Sequence, residues 1–507
     1  MKNFNTWKSL FFILLTVGYY ACGAGRDSAL DASADSETKD GFDLTTNFTT
    51  NINTFIKTGV RPPQVSDSST ATFGFYCKPK PCTFKCQIDS GSWQKCKSPK
   101  TYNALTEGAH TFKVKATNNG ITDKTPASYT WIVDFSPPVD RWLTISTKNA
   151  PSARTGMSAV WTGSEMIIWG GRNGTVNYRD GSRYNPVTDV WKPVSTKGAP
   201  SACANHSVIW TGTLMIIWGG DTGYNGNILQ VLNTGAIYNP STDSWSSIST
   251  AGAPAGRTNA GAIWTGTEMI VWGGDNGNPY DPGRVLNSGG RYNPATNIWQ
   301  PTSLTNAPEG RFNPTLVWTG DKMLVWGGSF WGTTGCAVGL YEFGLNNGGI
   351  YDPEFDSWTA MATANAPSAR YKYSAAWTGT ELLIWGGIDK VGGISCDYYL
   401  YGDGAKYNLS NNTWTAISST NAPSARYAQA TVWTGSRMII WGGNNLTQDL
   451  YTGAIYDPSG DSWTSITTSG APTARNGAVA VWSGNSMVIW GGTGTGTILD
   501  SGARYFP

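Results

Sequence analysis

Hydrophobic and polar positions repeat in a fixed rhythm over most of the chain. Apolar runs such as EMIIWGG, LMIIWGG and EMIVWGG end in a tryptophan and two glycines, and stretches rich in Asn, Pro, Ser and Thr separate them. WTG or WSG begins at Trp161, Trp210, Trp264, Trp318, Trp377, Trp433 and Trp482, and WGG begins eight positions later, at Trp169, Trp218, Trp272, Trp326, Trp385, Trp441 and Trp490. A tyrosine follows at Tyr184, Tyr238, Tyr292, Tyr351, Tyr407, Tyr456 and Tyr505, each with glycine three positions earlier. A further tryptophan series runs Trp142, Trp191, Trp245, Trp299, Trp358, Trp414 and Trp463. Each unit reads as four strands: a ending at WTG, b as the apolar run before WGG, c as GxxYNP, and d starting at the last tryptophan. A continuous apolar run suits a strand buried on both faces, and the glycine pair permits a tight backbone after it. Four antiparallel strands repeated seven times predict an all-β, seven-bladed β-propeller over residues 137–507.

The ends of the array add a detail. Trp142 in DRWLTIST is a d strand with no a, b and c before it, and SGARYFP is a c strand with no d after it. The N-terminal strand is therefore expected to complete the last blade, leaving no unpaired edge to invite association.

Residues 66–136 follow a different pattern, alternating runs at 110–116 and 128–133 separated by Gly, Asn and Pro, which predicts short antiparallel strands packed as a small β-sandwich. Four cysteines there favour disulfides, with three pairings open. The segments FKCQID, CKSP, LTEGAHTFKVKA and TPASYTWIVD resemble a bacterial immunoglobulin-like module, a common spacer or stalk in exported proteins. The resemblance implies that Cys86 and Cys96 are bonded and that Cys77 and Cys82 form an added pair. His110 sits in a strand and reads as structural.

Ahead of this module, residues 1–21 carry Lys2 and Lys8, then an apolar stretch from about Leu10 to Val17, the layout of a signal peptide. The stretch is too short for a membrane span. Ala21 before Cys22 resembles the end of a lipobox, with Tyr19 where leucine is usual, which implies lipidation at Cys22. Residues 22–65, rich in Ser, Thr, Asp and Asn, read as a flexible tether. The expected product is an outer-membrane or cell-surface lipoprotein, the alternative being a periplasmic or secreted form, with the membrane touched only through the lipid.

Composition then narrows the function. A net charge of +2, from 36 Lys+Arg against 34 Asp+Glu, removes the attraction that non-specific nucleic-acid binding rests on. Of 25 tryptophans, 21 belong to the three repeat series, so their excess is mostly scaffold. The double glycine after an apolar strand and the YNPxxxxW string resemble the kelch repeat family over about residues 139–507.

Length variation singles out one face. From d to the next a tryptophan is always 19 positions, whereas the b to c connections hold 9, 14, 14, 19, 16, 9 and 9 residues. Such a connection emerges on the same face as the d to a connection, so this face carries the individuality. Its four long loops offer Tyr224, Tyr280, Phe330, Trp331, Tyr341, Phe343, Tyr398, Tyr399 and Tyr401 among Asn, Asp and Gly, a surface suited to a sugar ring or a protein partner. Tyr224, Tyr280, Trp331, Tyr341, Tyr398 and Tyr399 are the candidate ligand contacts. Cys336 and Cys396, in neighbouring long loops, form a candidate disulfide that leaves Cys203 unpaired. Seven positions before the a tryptophans stand Arg154, Cys203, Arg257, Arg311, Arg370, Arg426 and Arg475. Arg257, Arg311 and Arg370 are candidate anion contacts at the channel mouth; the alternative is that each arginine holds its own d to a connection by bonding carbonyls.

Catalysis finds little support. The kelch resemblance brings one enzymatic precedent, the copper radical oxidases, whose metal needs histidines; the propeller has only His206, which reads as a packed residue. No cofactor is expected. The reading is a monomeric binding protein whose partner is a protein or glycan, and the alternative is a carbohydrate-active enzyme, glycosidase or lyase, with carboxylates from different blades in a central pocket.

Overall fold

The computed structural model describes residues 52–57, 60–62, 65–66, 68–133, 140–333, 341–390 and 397–507. The leader, Cys22, most of the tether, and the Cys336 and Cys396 pairing lie outside these residues. Every regular element among them is a strand.

Seven four-stranded antiparallel sheets follow one another, each in the order a, b, c, d. In the first, Ser158–Trp161, Met166–Trp169, Gly181–Asn185 and Val190–Pro193 pair in succession. Register explains the repeat. Trp161 lies opposite Met166, Met166 opposite Tyr184, and Tyr184 opposite Trp191, so three conserved spacings within the chain are one row across the sheet. The glycine of GxxY sits opposite the WGG tryptophan; a Cβ on Gly181 would fall 2.1 Å from the Ile168 carbonyl and 2.9 Å from the Trp169 ring. Only glycine admits that approach.

The b strands are buried throughout, as in Met166–Trp169 and Met323–Trp326. Their apolar residues join neighbouring sheets through seven core clusters, including one that packs Met166 and Ile168 of the first sheet against Val488 and Trp490 of the last. Each WGG tryptophan meets the d tryptophan of the following sheet at 4.5–5.3 Å, tilted by 53–61°, a favourable edge-on geometry for aromatic pairs. The order closes covalently distant ends: Arg141–Thr144 pairs with Gly502–Phe506, and the Tyr505 hydroxyl donates to Asp140 at 2.8 Å.

The region ahead of the sheets begins earlier than expected. Asn53–Ile56, placed in the tether by its polar composition, pairs antiparallel with Phe75–Lys78. Ile52 and Thr54 are buried, the Thr54 N–H donates to Asp123, and its hydroxyl accepts from the Ala116 N–H, so burial and two long-range bonds hold the segment. A larger sheet runs Val65–Ser66, Ala127–Val133, Gly108–Asn118, Thr83–Ile88 and Gln94–Cys96. Phe73, Phe75, Phe112, Val114, Trp131 and Val133 form its core. Cys77 is bonded to Cys82 and Cys86 to Cys96. His110 is buried, with Nδ1 2.8 Å from Asp89 and Nε2 2.7 Å from the Thr106 carbonyl.

Candidate functional site

The b to c connections and the residues just before each a strand meet on one face. Five positions before the a tryptophans stand Gly156, Asn205, Asn259, Asn313, Lys372, Ala428 and Gly477, all with φ between 51° and 64°. The Asn205 N–H donates to the Gly156 carbonyl, Asn259 to Asn205, Asn313 to Asn259, Ala428 to Lys372 and Gly477 to Ala428, at 2.8–3.0 Å. These sheet-to-sheet bonds outline a rim at the inner end of the a strands. Left-handed backbone suits Gly and Asn; in Lys372 and Ala428 it is a less common conformation.

Around the rim, the long connections form hairpins, among them Asp221–Asn225 with Ile228–Val231, Ser329–Gly332 with Tyr341–Gly344, and Ile388–Lys390 with Tyr398–Leu400. Three rim carboxylates are consumed in fastening them. Asp221 accepts from Arg172, Asn205 and Thr258; Asp275 from Gly277, Arg284 and Trp331; Asp449 from Asn444, Asn476 and Thr495.

This geometry divides the aromatic candidates. Tyr224 and Tyr280 are 70% exposed, and Asn227 donates to the Tyr280 hydroxyl at 3.1 Å. Tyr398 and Tyr399 are exposed as well, and Tyr341 is half-buried. Trp331 is different. Its indole N–H donates to Asp275 at 2.9 Å, its ring stacks on Phe312 at 5.3 Å, and the Arg284 guanidinium lies 4.8 Å from its centroid. It is half-buried and braces one hairpin against the neighbouring sheet. Phe343 and Tyr401 are buried and pack the loops, Tyr401 beneath the Arg370 guanidinium at 4.0 Å.

The arginines require a correction. Arg257, Arg311 and Arg370, expected as anion contacts, are no more than 1% exposed. In each, Nε donates to the carbonyl two positions back, and Nη1 donates both to the first glycine of WGG and to the residue before the c strand: for Arg311, Glu309, Gly327 and Asn347 at 2.8–3.0 Å. Arg154, Arg426 and Arg475 do the same. Burial lowers Arg257, Arg311, Arg426 and Arg475 to about 10, still charged at neutral pH. The fork shape of guanidinium reaches three carbonyls at once, sharing the one before the c strand with the N–H of the first WGG glycine, as Asn347 accepts from Gly327 as well as Arg311. These cations knit the d to a and b to c connections together and do not line a surface.

His206 is buried at the junction of the first two sheets, sharing a hydrogen bond with Ser158 at 2.7 Å, and its Nδ1 is 3.6 Å from the Cys203 sulfur. Burial pushes the imidazole down to about 4 and the thiol up to about 12. The pair is neutral and shielded, unlike an activated thiolate. Gln429, at the same register in another sheet, makes the corresponding bond to Ser374 at 2.7 Å.

A charged cluster that sequence reasoning missed lies beside the rim. Lys372 is an exposed lysine where the other six sheets carry Gly, Asn or Ala, and comparison of the units at that position is the signal that could have found it. Its amino group is 4.0 Å from Glu342, which accepts from the Ser329 hydroxyl at 2.8 Å. Lys390 is buried between the Tyr341 and Tyr398 rings at 4.1 and 4.4 Å. Asp389 accepts from the Gly344 and Lys390 N–H groups. Burial raises the Glu342 and Asp389 carboxyls above their ordinary range, more than Lys372 and the backbone donors respectively lower them. The Tyr371 hydroxyl is raised by burial and then by Glu342, Tyr398, Asp389 and Tyr427, which places these groups around it. Among the described residues no group of three or more His, Cys, Asp or Glu could hold a metal ion. A cleft of about 500 Å³, lined by Glu165, Arg183, Trp210 and Pro240, lies at the a to b and c to d turns, away from this face.

Four-stranded sheets with a glycine pair after each b strand and this tyrosine-tryptophan row define a kelch-type β-propeller, the fold of a protein-interaction scaffold. Residues 119–391 match the Attractin/LZTR1 beta-propeller, and residues 374–504 match the KLHDC2/KLHL20/DRC7 Kelch-repeats domain. The first match takes in more than half of the 507 residues, and the chain belongs to the Attractin/LZTR1 beta-propeller family. No curated protein gives a match.

Proposed function

We propose that this protein is an exported, lipid-anchored binding protein, with seven blades in one propeller and an immunoglobulin-like β-sandwich as its stalk, and that the variable face takes a protein or glycan ligand. One observation carries the reading. The exposed tyrosines Tyr224, Tyr280, Tyr398 and Tyr399 and the exposed cation Lys372 gather on the face whose loops differ from sheet to sheet, while the WGG tryptophans and c-strand tyrosines common to all sheets are buried. Aromatic side chains with polar tips make contact area at low entropic cost and suit either ligand. The test is a screen of the purified mature protein against glycans and envelope proteins, repeated with Tyr398→Ala. Binding reduced about tenfold with an unchanged melting temperature supports the assignment; full binding by every variant on this face overturns it. Anchoring has its own test: mass spectrometry of the membrane fraction should find a lipidated N-terminal Cys22.

A carbohydrate-cleaving activity is the second reading, and the raised carboxyls of Glu342 and Asp389 beside the rim favour it. Turnover of a bound glycan that Glu342→Gln abolishes would support it. Binding without turnover leaves the interaction role.

A further inference from the structure

We infer that the rim at Lys372 is a subsite for a carboxylate-bearing sugar, the acidic unit of a glycan; this deepens the reading above and rests on the variable face being the ligand face. The backbone comes first. At this position all seven sheets need left-handed φ, and Gly156, Ala428 and Gly477 show that no side chain is required to close the rim. A lysine there is not demanded by the scaffold. It is also one of the less comfortable choices for that backbone, the kind of outlier from which a functional hypothesis is properly drawn.

The amino group comes second. The Lys372 side chain is 44% exposed, and its nitrogen lies over the faces of Tyr371 and Tyr427, at 5.4 and 6.0 Å from their centroids. Its carboxylate neighbour, Glu342, stands at 4.0 Å, beyond hydrogen-bond reach, and is already bonded to Ser329. The ammonium is therefore held in place with donors to spare.

Third is the chemistry of the surroundings. The ammonium sits over the rings of Tyr371, which is buried, and Tyr427, which is half-buried, and Asn313, the exposed rim residue of the preceding sheet, adds an amide. Ring faces receive the C–H face of a pyranose, and hydroxyls and amides answer its O–H groups. A peptide anchor usually fills a desolvated apolar pocket, whereas the exposed groups here, Lys372, Tyr427 and Asn313, all end in polar atoms. Glu342 stands near the ammonium without a hydrogen bond to it, so a sugar carboxylate can add the charge-assisted bond that a neutral sugar cannot. A sugar carboxylate on Lys372, with its ring against Tyr427 and a hydroxyl towards Asn313, engages the exposed groups here.

The experiment is calorimetric titration of the full mature protein with short oligogalacturonates and with their methyl-esterified, uncharged counterparts. Lys372→Asn is the diagnostic variant because asparagine holds this backbone position in three other sheets. The wild type should bind the acid form and bind the ester about tenfold more weakly, and Lys372→Asn should bind both forms as weakly as the wild type binds the ester, about the loss of one charge-assisted bond. Equal binding of acid and ester, or wild-type affinity in Lys372→Asn, overturns the subsite. If no oligogalacturonate binds but an acidic peptide or an envelope protein does, with loss on Tyr398→Ala, the sugar assignment falls and the ligand face stands. If a ligand binds and neither Tyr398→Ala nor Lys372→Asn affects it, both fall.

Discussion

Two arcs of the ring are built alike and finished differently. The sheets whose rim residues are Gly156, Ala428 and Gly477 have the short connections, and those with Asn205, Asn259, Asn313 and Lys372 have the long ones. Both arcs share the Trp, Met or Leu, Tyr, Trp row; six of the seven sheets add the buried arginine, and Cys203 takes its place in the other. The difference teaches that stability and recognition occupy separate layers. Anything common to both arcs is explained by packing, and a binding residue is to be sought where the arcs diverge.

The comparison breaks if the shared layer is not equally important in both arcs. Arg257→Ala and Arg475→Ala each remove a buried guanidinium that bonds three carbonyls, among them that of the first glycine of WGG, which has no other donor among the described residues, and should each lower stability by about 3 kcal/mol, measured by chemical denaturation. A large cost in one arc alone would show that the arginine has a second role there.

A comparable effect depends on pH. His206 has a folded pKa of about 4, below its unfolded value near 6.5, so the unfolded state takes up its proton first as pH falls. Its contribution is intact above about pH 6.5 and is lost progressively towards pH 4, by about 3 kcal/mol. Subtracting the stability profile of His206→Gln, which keeps the bond that Gln429 makes elsewhere, isolates that slope. Identical profiles would mean that His206 is solvated. His110 has the opposite sign: burial lowers it, but the Thr106 carbonyl and Asp89 more than compensate, and the net shift is upward. Its stabilisation is present at low pH and fades as pH rises through the folded value, so the protection factors of its amide neighbours, corrected for intrinsic exchange, should fall across that rise.

Smaller still is Trp331→Ala. Losing its bond to Asp275 and its stacking on Phe312 should cost about 1–2 kcal/mol and speed amide exchange in the hairpin formed by Ser329–Gly332 and Tyr341–Gly344, with little change elsewhere. Smallest are Tyr224→Ser and Tyr280→Ser, within about 0.5 kcal/mol of wild type in the same unfolding experiment, because both rings are largely in water.

Strand order, register and the variable face were legible because each follows from spacing: Trp161, Met166, Tyr184 and Trp191 recur at intervals that only a repeated sheet satisfies. The arginines were legible as a series with two roles open to them, anion contact or bonding of carbonyls, and the sheets show the second. Recurrence marks a position, but whether APSAR turns its guanidinium outwards or onto Gly170 depends on carbonyls up to 36 positions away. The bracing role of Trp331 was not legible, because its partner Asp275 is in another unit. Lys372 stands out when the units are aligned on their a tryptophans, but that this position forms a rim follows only from the sheet-to-sheet bonds.

Deuterium exchange on the full mature protein, with and without a ligand recovered from the screen, tests the separation of layers most directly. Protection should appear at 370–374 and at 398–401, beside the rim, and be absent at the underside turns 162–165 and 239–241. Protection confined to those turns, or spread evenly over both arcs, would contradict it.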